Sequence, residues 1–298
     1  MILCKSLRAL SCGARCGCLE TCLRVTVAEI LRFLSLHFGE DFHSYSQSLV
    51  EKRVAERMAQ LKLHDVDAYL SLLESDPAEP QCLARMLRIR FSSFFRDPLQ
   101  FELLRCLVLP AMLPKGGPYF RAWCAACAEG EEACSLAMIL DETARLLDLK
   151  TKVQIFATDI AEDALEDARS GRYVRRSMDG VTLQRLDAYF VPDGNGYRIS
   201  PGILSMINYC RHDLLDPHTY APAESLFGGF DLVSCRNFLM YLDPEGYLKV
   251  FDNLFRALNE GGVLLLGKAE AVPERYCDRL EPLFEGGNLY RKIPAGRG

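Results

Sequence analysis

A turn rich in carboxylates is the part of this chain that points most directly to chemistry. The mostly apolar segment 119–124 predicts a buried strand, small residues follow it, and Glu129, Glu131 and Glu132 lead into the next helix. A helix N-terminus at the start of an α/β sheet commonly binds a nucleotide-like ligand, and its dipole favours phosphate. Three carboxylates would instead repel phosphate. The turn therefore predicts a nucleotide-like ligand with a positive charge, such as the ammonium group of S-adenosylmethionine.

Further polar side chains follow the other predicted strands, at the edge where ligands bind in open α/β sheets. Asp159 ends the second strand and suits ribose hydroxyls, with a helix cap as the alternative. Asp213 suits the amine of adenine, or a turn. Asn237 and Tyr241 follow the strand expected nearest the reacting group, with local pairing and packing as the alternative. Arg96 stands at the junction of two parts of the chain, where a salt bridge is the other interpretation.

The composition excludes several classes of function. The chain has 298 residues, 49% of them apolar, which is enough for a sizeable core in one or two domains. A net charge of −5 gives no bulk attraction to nucleic acid, and no apolar run approaches the roughly 18 residues of a membrane span. We therefore expect a cytoplasmic protein that binds no nucleic acid and does not insert into a membrane.

Cysteines are concentrated at the start of the chain. Five of the 13 lie in residues 1–24, and their spacing fits no zinc template. We expect this segment to be a poorly ordered, cysteine-rich leader, and we assign no metal site to the chain.

The hydrophobic pattern divides the rest of the chain in two. Residues 25–92 carry apolar residues at helical spacing and predict a small helical domain. From residue 93 onwards, short apolar strands alternate with helices, which predicts an α/β fold with a mostly parallel sheet covered on both faces. Residues 193–196, Asp-Gly-Asn-Gly, predict a hairpin turn.

Taken together, these motifs resemble the CheR family of chemotaxis receptor methyltransferases. The resemblance covers about residues 25–293, and although each motif is weak alone, their order and spacing are specific. The matching segments are Arg57-Met58, Phe94-Phe95-Arg96-Asp97, Gly130-Glu131-Glu132, Ala157-Thr158-Asp159-Ile160, Gly171-Arg172-Tyr173, Tyr189-Phe190, Asp213-Leu214-Leu215, Cys235-Arg236-Asn237 with Tyr241, and Gly261-Gly262.

The resemblance implies both architecture and activity. It implies a Rossmann-like S-adenosylmethionine-dependent methyltransferase domain over residues 93–298, with a small β-subdomain at about 172–206, preceded by the all-helical domain. Methyl groups would pass from S-adenosylmethionine to glutamate side chains of chemotaxis receptors, leaving S-adenosylhomocysteine and a methyl ester. Carried over by motif, the cofactor-binding residues are Ser92, Arg96, Glu131, Asp159, Asp213, Asn237 and Phe238. Arg96 and Tyr241 would flank the methyl group as the catalytic pair.

The chain also departs from the family pattern. Ala128-Glu129 replaces a usual Ser-Thr, Ala133-Cys134 replaces Pro-Tyr, and Gly267-Lys268-Ala269-Glu270 replaces Gly-His-Ser-Glu. Glu129 removes a hydroxyl and adds a negative charge beside Glu131. The altered turn at Ala128-Glu129 motivates an alternative function, a non-catalytic S-adenosylmethionine-binding module that regulates a signalling pathway.

A basic helix face is the candidate surface for the protein substrate. Lys52, Arg53 and Arg57 lie on one side of a predicted amphipathic helix, and the methylation helices in the cytoplasmic part of a chemoreceptor are rich in Glu and Gln. The alternative is an ordinary solvated face. The short hairpin at residues 191–196 is similar to that of family members that use no receptor tether, and we expect a monomer.

Overall fold

The computed structural model describes residues 17–88, 92–115, 119–225 and 229–294. Residues 1–16 of the predicted leader lie outside the described residues, and the first helix begins at Gly17, earlier than the predicted start at Val25. The chain forms two compact units, one with residues up to His43 and Gln47–Leu87, the other with Ser44–Ser46 and the rest of the chain. No helix in the described ranges is long and apolar enough to span a membrane.

The first unit is helical, as its apolar periodicity predicts. Asp65 caps the third helix by accepting a hydrogen bond from the amide of Ala68 at 3.2 Å. The apolar stripe Val50, Val54 and Met58 is buried, which confirms the predicted inward face of the second helix. The helices are α1 (Gly17–Phe38), α2 (Gln47–Gln60), α3 (Val66–Ser75) and α4 (Glu79–Leu87).

The second unit contains the alternating elements. Its strands are β1 (Tyr119–Ala125), β2 (Lys152–Asp159), β3 (Arg172–Val174), β4 (Phe190–Asp193), β5 (Gly196–Ile199), β6 (Ile207–Arg211), β7 (Phe230–Cys235), β8 (Leu258–Leu266), β9 (Leu280–Pro282) and β10 (Leu289–Lys292). Its helices are α5 (Pro98–Leu103), α6 (Leu109–Met112), α7 (Glu131–Leu146), α8 (Glu162–Ser170), α9 (Leu183–Tyr189), α10 (Pro201–Leu204) and α11 (Pro244–Ala257). A π-helical turn joins α5 to α6.

A seven-stranded sheet forms the centre of this unit, in the order β6-β2-β1-β7-β8-β10-β9. The first five strands are parallel, and β10 and β9 add antiparallel pairs at one edge. From β1 the chain first builds outward to β2 and β6 and then returns to place β7 on the other side of β1. The strand order therefore reverses between β1 and β7, and ligands bind at the carboxyl ends of strands at such a point.

A small antiparallel sheet, β3-β5-β4, completes the second unit. Asp193 pairs with Gly196 across a tight turn in which Gly194 has a φ of +60°, which confirms the predicted hairpin. The rest of the described fold agrees with the predicted alternation, except at the C-terminal side of the sheet. There the apolar run at residues 263–266 predicts only a short strand, whereas β8 begins at Leu258, and the edge strand β9 has no counterpart in the predicted alternation.

Candidate active site

The turn after β1 is built from backbone in an unusual conformation. Ala126 and Ala128 have φ values of +56° and +48°, a region that residues with a Cβ rarely occupy. Two hydrogen bonds hold the turn against the end of β2: the Cys127 amide donates to the Thr158 carbonyl at 2.9 Å, and the Ala128 amide donates to Asp159 Oδ2 at 2.9 Å. Left-handed backbone of this kind is characteristic of functional sites.

Gly130 ends the turn and is required by packing. Its φ is +90°, and a Cβ at this position would lie 2.8 Å from the Tyr209 hydroxyl and 2.9 Å from the Cβ of Ala168. The hydroxyl groups of Tyr173 and Tyr209 also lie 3.3 and 3.5 Å from Cys134 Sγ, in the first turns of α7. The small residue therefore lets the turn pack on the protein's own tyrosines.

Glu131, the first residue of α7, carries a buried carboxylate with an unsatisfied oxygen. The residue is 3% exposed, and Oε2 has no hydrogen-bond partner among the described residues. The pKa of Glu131 is raised to about 7, mainly by burial and also by the nearby charge of Glu129, although its own backbone amide and the Ser92 hydroxyl act in the opposite direction. The structure thus brings Ser92 to Glu131, as the resemblance implies, and leaves one carboxylate oxygen available for a cationic group.

Asp159 and Asp213 lie side by side at the ends of β2 and β6. The amide of His212 donates to the Asp159 carbonyl at 3.1 Å, which joins the two strand ends. The Asp159 carboxylate accepts from the amides of Ala128 and Ala161, and Asp213 Oδ1 accepts from Leu215 at 2.8 Å. Both carboxylates therefore also accept hydrogen bonds from nearby backbone amides, as the alternative interpretations, a helix cap for Asp159 and a turn for Asp213, predict. Because each carboxylate oxygen has two lone pairs, both can also accept ligand hydrogen bonds.

Asn237 and Phe238 follow β7 and are held by a carboxylate that the sequence analysis did not single out. Glu270 is 3% exposed, and its carboxylate accepts from the amides of Asn237 at 3.1 Å, Phe238 at 2.9 Å and Gly267 at 2.7 Å. Asn237 has a φ of +58°. A Cβ on Gly267 would lie 2.8 Å from the Asn237 amide nitrogen, so glycine is needed where the ends of β7 and β8 meet.

Tyr241 lies in the short helical turn that follows these residues. Its amide donates to the Phe238 carbonyl at 3.1 Å, and its carbonyl accepts from the Ser46 amide at 2.8 Å. An isolated antiparallel bridge between Tyr45 and Leu242 adds to this contact within the second unit. The backbone that carries Tyr241 is therefore fixed on both sides.

Arg236 is the centre of a buried network that reaches Arg96. Its side chain is fully buried; Nη2 donates to the Arg96 carbonyl at 2.5 Å, and Nη1 donates to Glu132 Oε2 at 3.2 Å. Its other contacts are Asp97 Oδ2 at 3.1 Å and Gln100 Oε1 at 3.1 Å. Arg236 thus links the end of β7 to the segment before α5 and fixes the backbone of Arg96.

Asp97 also belongs to this network rather than to the helix it precedes. It directly precedes Pro98, the first residue of α5, but its φ is +59° and its side chain makes no capping hydrogen bond. The carboxylate instead contacts Arg236 and, through Oδ1, Lys268 Nζ at 2.9 Å. A buried arginine directly after an apolar strand, as in the segment Cys235-Arg236-Asn237, is the sequence signal that could have identified this network.

One of the three basic residues expected on the substrate-binding face of α2, Arg57, is instead paired with a buried carboxylate. Arg57 makes a bidentate ion pair with Glu79, at 2.8 and 2.6 Å, and the Tyr69 hydroxyl donates to Glu79 at 2.9 Å. Glu79 is 3% exposed, and this contact raises the pKa of Arg57. Arg57 is therefore an internal ion-pair partner that holds α4 to α2. Lys52 is exposed, and Arg53 is partly exposed and pairs with Glu56 at 2.7 Å. These two residues are the more solvent-exposed part of the predicted basic face.

Comparison with known families assigns the chain. Residues 90–283 match the model of the CheR methyltransferase SAM-binding domain, and residues 26–88 match the model of the CheR methyltransferase all-alpha domain. The chain belongs to the CheR methyltransferase family. The family resemblance inferred from sequence motifs is confirmed, as is the order of a helical domain followed by a Rossmann-like methyltransferase domain.

Relatives of this CheR-family chain include proteins named for chemotaxis. It is 32% identical to chemotaxis protein methyltransferase 1 of Pseudomonas aeruginosa, over 82% of this chain and 90% of that protein. It is 30% identical to the chemotaxis protein methyltransferase of Listeria monocytogenes, over 81% of this chain and 88% of the relative. It is also 33% identical to an uncharacterized 104.1 kDa protein of Rhodobacter capsulatus, of which it spans only 25%.

S-adenosylmethionine is the cofactor of this CheR-family chain, and the site fits it. The molecule carries an ammonium and a sulfonium group, and the unsatisfied Glu131 oxygen is a buried acceptor suited to a cation. The three carboxyl groups of the turn, on Glu129, Glu131 and Glu132, favour a cationic ligand over phosphate. Among the described residues, no group of three or more His, Cys, Asp and Glu side chains is arranged to hold a metal ion.

Proposed function

We propose that this chain transfers a methyl group from S-adenosylmethionine to glutamate side chains of chemotaxis receptors, forming glutamate methyl esters. The observation that carries the proposal is the unsatisfied, buried carboxylate of Glu131 at the strand-order reversal of a CheR-family domain. The receptor substrate is supported by the names of the Pseudomonas and Listeria relatives. The reaction would take place in the cytoplasm, where the methylation helices of receptors lie.

We assign the cofactor contacts from the site geometry and the family motif together. Glu131 binds the ammonium group, with Ser92 beside it. Asp159 accepts from the ribose and Asp213 from the adenine amine. These assignments rest on the adjacency of the two strand ends, which the hydrogen bond from the His212 amide to the Asp159 carbonyl joins, and on the family motif.

The remaining cofactor contacts come from the segment after β7. Asn237 and the backbone of Phe238 complete the site, and both are held by Glu270. Asparagine adopts left-handed backbone more readily than most residues, so the Glu270 contacts can hold Asn237 in this conformation at the end of β7.

The chemistry requires alignment more than proton transfer. An acceptor glutamate has an unperturbed pKa of about 4.3 and is already an ionised nucleophile at neutral pH, so no general base is needed. S-adenosylmethionine supplies a methyl group on a sulfonium; the acceptor carboxylate oxygen forms the new C–O bond while the C–S pair returns to sulfur. Opposite charges are lost in this step, so a site that excludes water favours it.

Two residues are proposed to align the reactants. Arg96 orients the acceptor carboxylate, and Arg236 and Asp97 fix the backbone around it. The Tyr241 hydroxyl helps to position the methyl group, on a backbone held at Phe238 and Ser46. Because Arg96 carries a full charge, it would hold the acceptor without having to accept or donate a proton.

Receptor recognition is proposed to use the exposed side of α2. Lys52 is exposed and Arg53 is partly exposed, so both are available to an acidic helix, whereas Arg57 is committed to Glu79. Reversing the charges of Lys52 and Arg53 to Glu should weaken binding to a receptor cytoplasmic fragment, and more strongly at low salt. Lys62→Glu is the matched control, since Lys62 is exposed but follows α2. Equal weakening of receptor binding by the double reversal and by Lys62→Glu, or no weakening by either variant, would contradict this surface.

Transfer of a tritiated methyl group to receptor-containing membranes tests the proposed reaction. Label that is retained on receptor protein and released as methanol by mild alkali is expected, since a methyl ester is alkali-labile and an N-methyl group is not. Arg96→Ala and Tyr241→Phe should both lower turnover. Cofactor binding without any transfer would instead favour the non-catalytic regulatory module.

A further inference from the structure

A cleft far from the active site combines cations with aromatic rings. Its volume is about 380 Å³, and its lining residues are Tyr220, Phe255, Arg256, Tyr276, Arg279 and Lys292. Phe255 and Arg256 lie in the last turn of α11, and Lys292 ends β10 beside the first half of β8. The methyl-transfer site lies at the carboxyl ends of the parallel strands, so this cleft is at the opposite end of β8.

The floor of the cleft holds a buried ammonium group. Lys292 is 7% exposed, and its Nζ donates to the carbonyls of Phe255 at 3.0 Å and Leu258 at 2.7 Å. The same nitrogen lies 4.4 Å from the centre of the Phe255 ring. Glu260 approaches it at 3.7 Å but is half exposed, so it offsets the buried charge only in part.

Two arginines form the rim, and aromatic rings fix their orientation. The Arg256 guanidinium lies 4.6 Å from the Tyr220 ring centre, and that of Arg279 lies 4.3 Å from the Phe255 ring centre. Within the described part of the chain, neither guanidinium has a carboxylate partner. Their neighbour Arg275, in contrast, pairs with Asp252. A guanidinium placed over a ring keeps its N–H donors directed outward at its edges, in a fork that matches phosphate oxygens.

We infer that this cleft, here called the cationic cleft, binds a small phosphorylated ligand. Three cations, Arg256, Arg279 and Lys292, converge on one concave surface. The volume falls within the range of small-molecule sites, and the aromatic walls can contact the body of a ligand while the arginines hold its phosphates. A concavity of this size suits a small molecule better than a folded protein.

The test is calorimetric titration of the full chain with inorganic pyrophosphate and with uridine 5′-diphosphate. Saturating S-adenosylhomocysteine is present throughout, so that the methyl-transfer site is filled. The Arg256→Gln/Arg279→Gln double variant removes both rim charges, and Arg275→Gln removes a neighbouring charge outside the cleft. Both rim arginines are exposed, so the double variant should fold; Arg279→Gln alone is the second variant.

Binding of one ligand per chain is expected. The affinity should be about tenfold or more lower in the double variant, because two charge-assisted contacts are lost, and unchanged in Arg275→Gln, which keeps both contacts. Equal affinity in the wild type and the double variant would overturn the inference, as would no binding of either probe. Tighter binding to a polyglutamate peptide or to phosphatidylglycerol vesicles than to pyrophosphate would also overturn it.

Discussion

Cofactor binding should follow the ionisation of Glu131. In the ligand-free protein burial raises the pKa of this carboxyl to about 7, and only the ionised form attracts an ammonium group. With a pKa of about 7, roughly one Glu131 in eleven is ionised at pH 6 and roughly ten in eleven at pH 8. The affinity for S-adenosylhomocysteine is therefore expected to be about tenfold lower at pH 6 than at pH 8.

Calorimetric titrations across this pH range, on wild type and two matched variants, test the prediction. Glu131→Gln should bind weakly, and its affinity should lose the tenfold dependence on pH. Glu129→Gln removes a neighbouring negative charge that raises the pKa of Glu131, so its profile should move to lower pH while its affinity at pH 8 is retained. Equal wild-type affinity at pH 6 and pH 8, or the same profile in Glu131→Gln, would refute the reasoning.

Three further predictions concern stability. Without ligand, wild type should lose stability relative to Glu131→Gln as the pH rises from about 4.5 to 7, because the folded state holds the proton more tightly than the unfolded chain; denaturant unfolding at several pH values measures this difference. Arg236→Met leaves Glu132 and Asp97 without their buried partner, and should lower the free energy of unfolding by about 3–5 kcal/mol. Arg57→Ala should destabilise the helical unit by about 3 kcal/mol because it leaves Glu79 buried and unpaired, whereas the exposed control Lys52→Ala should change stability by less than about 0.5 kcal/mol; equal effects in thermal unfolding would contradict the ion-pair assignment.

Elements with strong local signals could be predicted from the sequence. The apolar strands β1, β2 and β7 and the turn at Gly194 depend mainly on neighbouring residues, so pattern and turn chemistry were enough. The acidic turn indicated a cationic ligand, because both the carboxylates and the start of the following helix can be recognised in the sequence. The family motifs then supplied the identity of the cofactor.

Contacts between distant residues could not be predicted in this way. The position of Arg57 on α2 is visible in the sequence, but its partner Glu79 lies 22 residues away, at the start of α4, and becomes buried only in the fold. Glu270 stabilises a turn 33 residues earlier, and Arg236 reaches across 140 residues to Arg96. The pairings of Glu270 and Arg236 depend on the order of strands in the sheet, which the alternation of strands and helices does not determine. The pairing of Arg57 depends on how α4 packs against α2.

The position of the transferred methyl group tests the central claim most directly. A receptor cytoplasmic fragment is incubated with the protein and S-adenosylmethionine, digested, and mapped by tandem mass spectrometry. Methyl esters on glutamate side chains of the methylation helices are predicted, and they should be lost when Glu131→Gln replaces the wild type. An unmodified receptor fragment, or methyl groups on nitrogen atoms instead of glutamate oxygens, would contradict the proposed reaction.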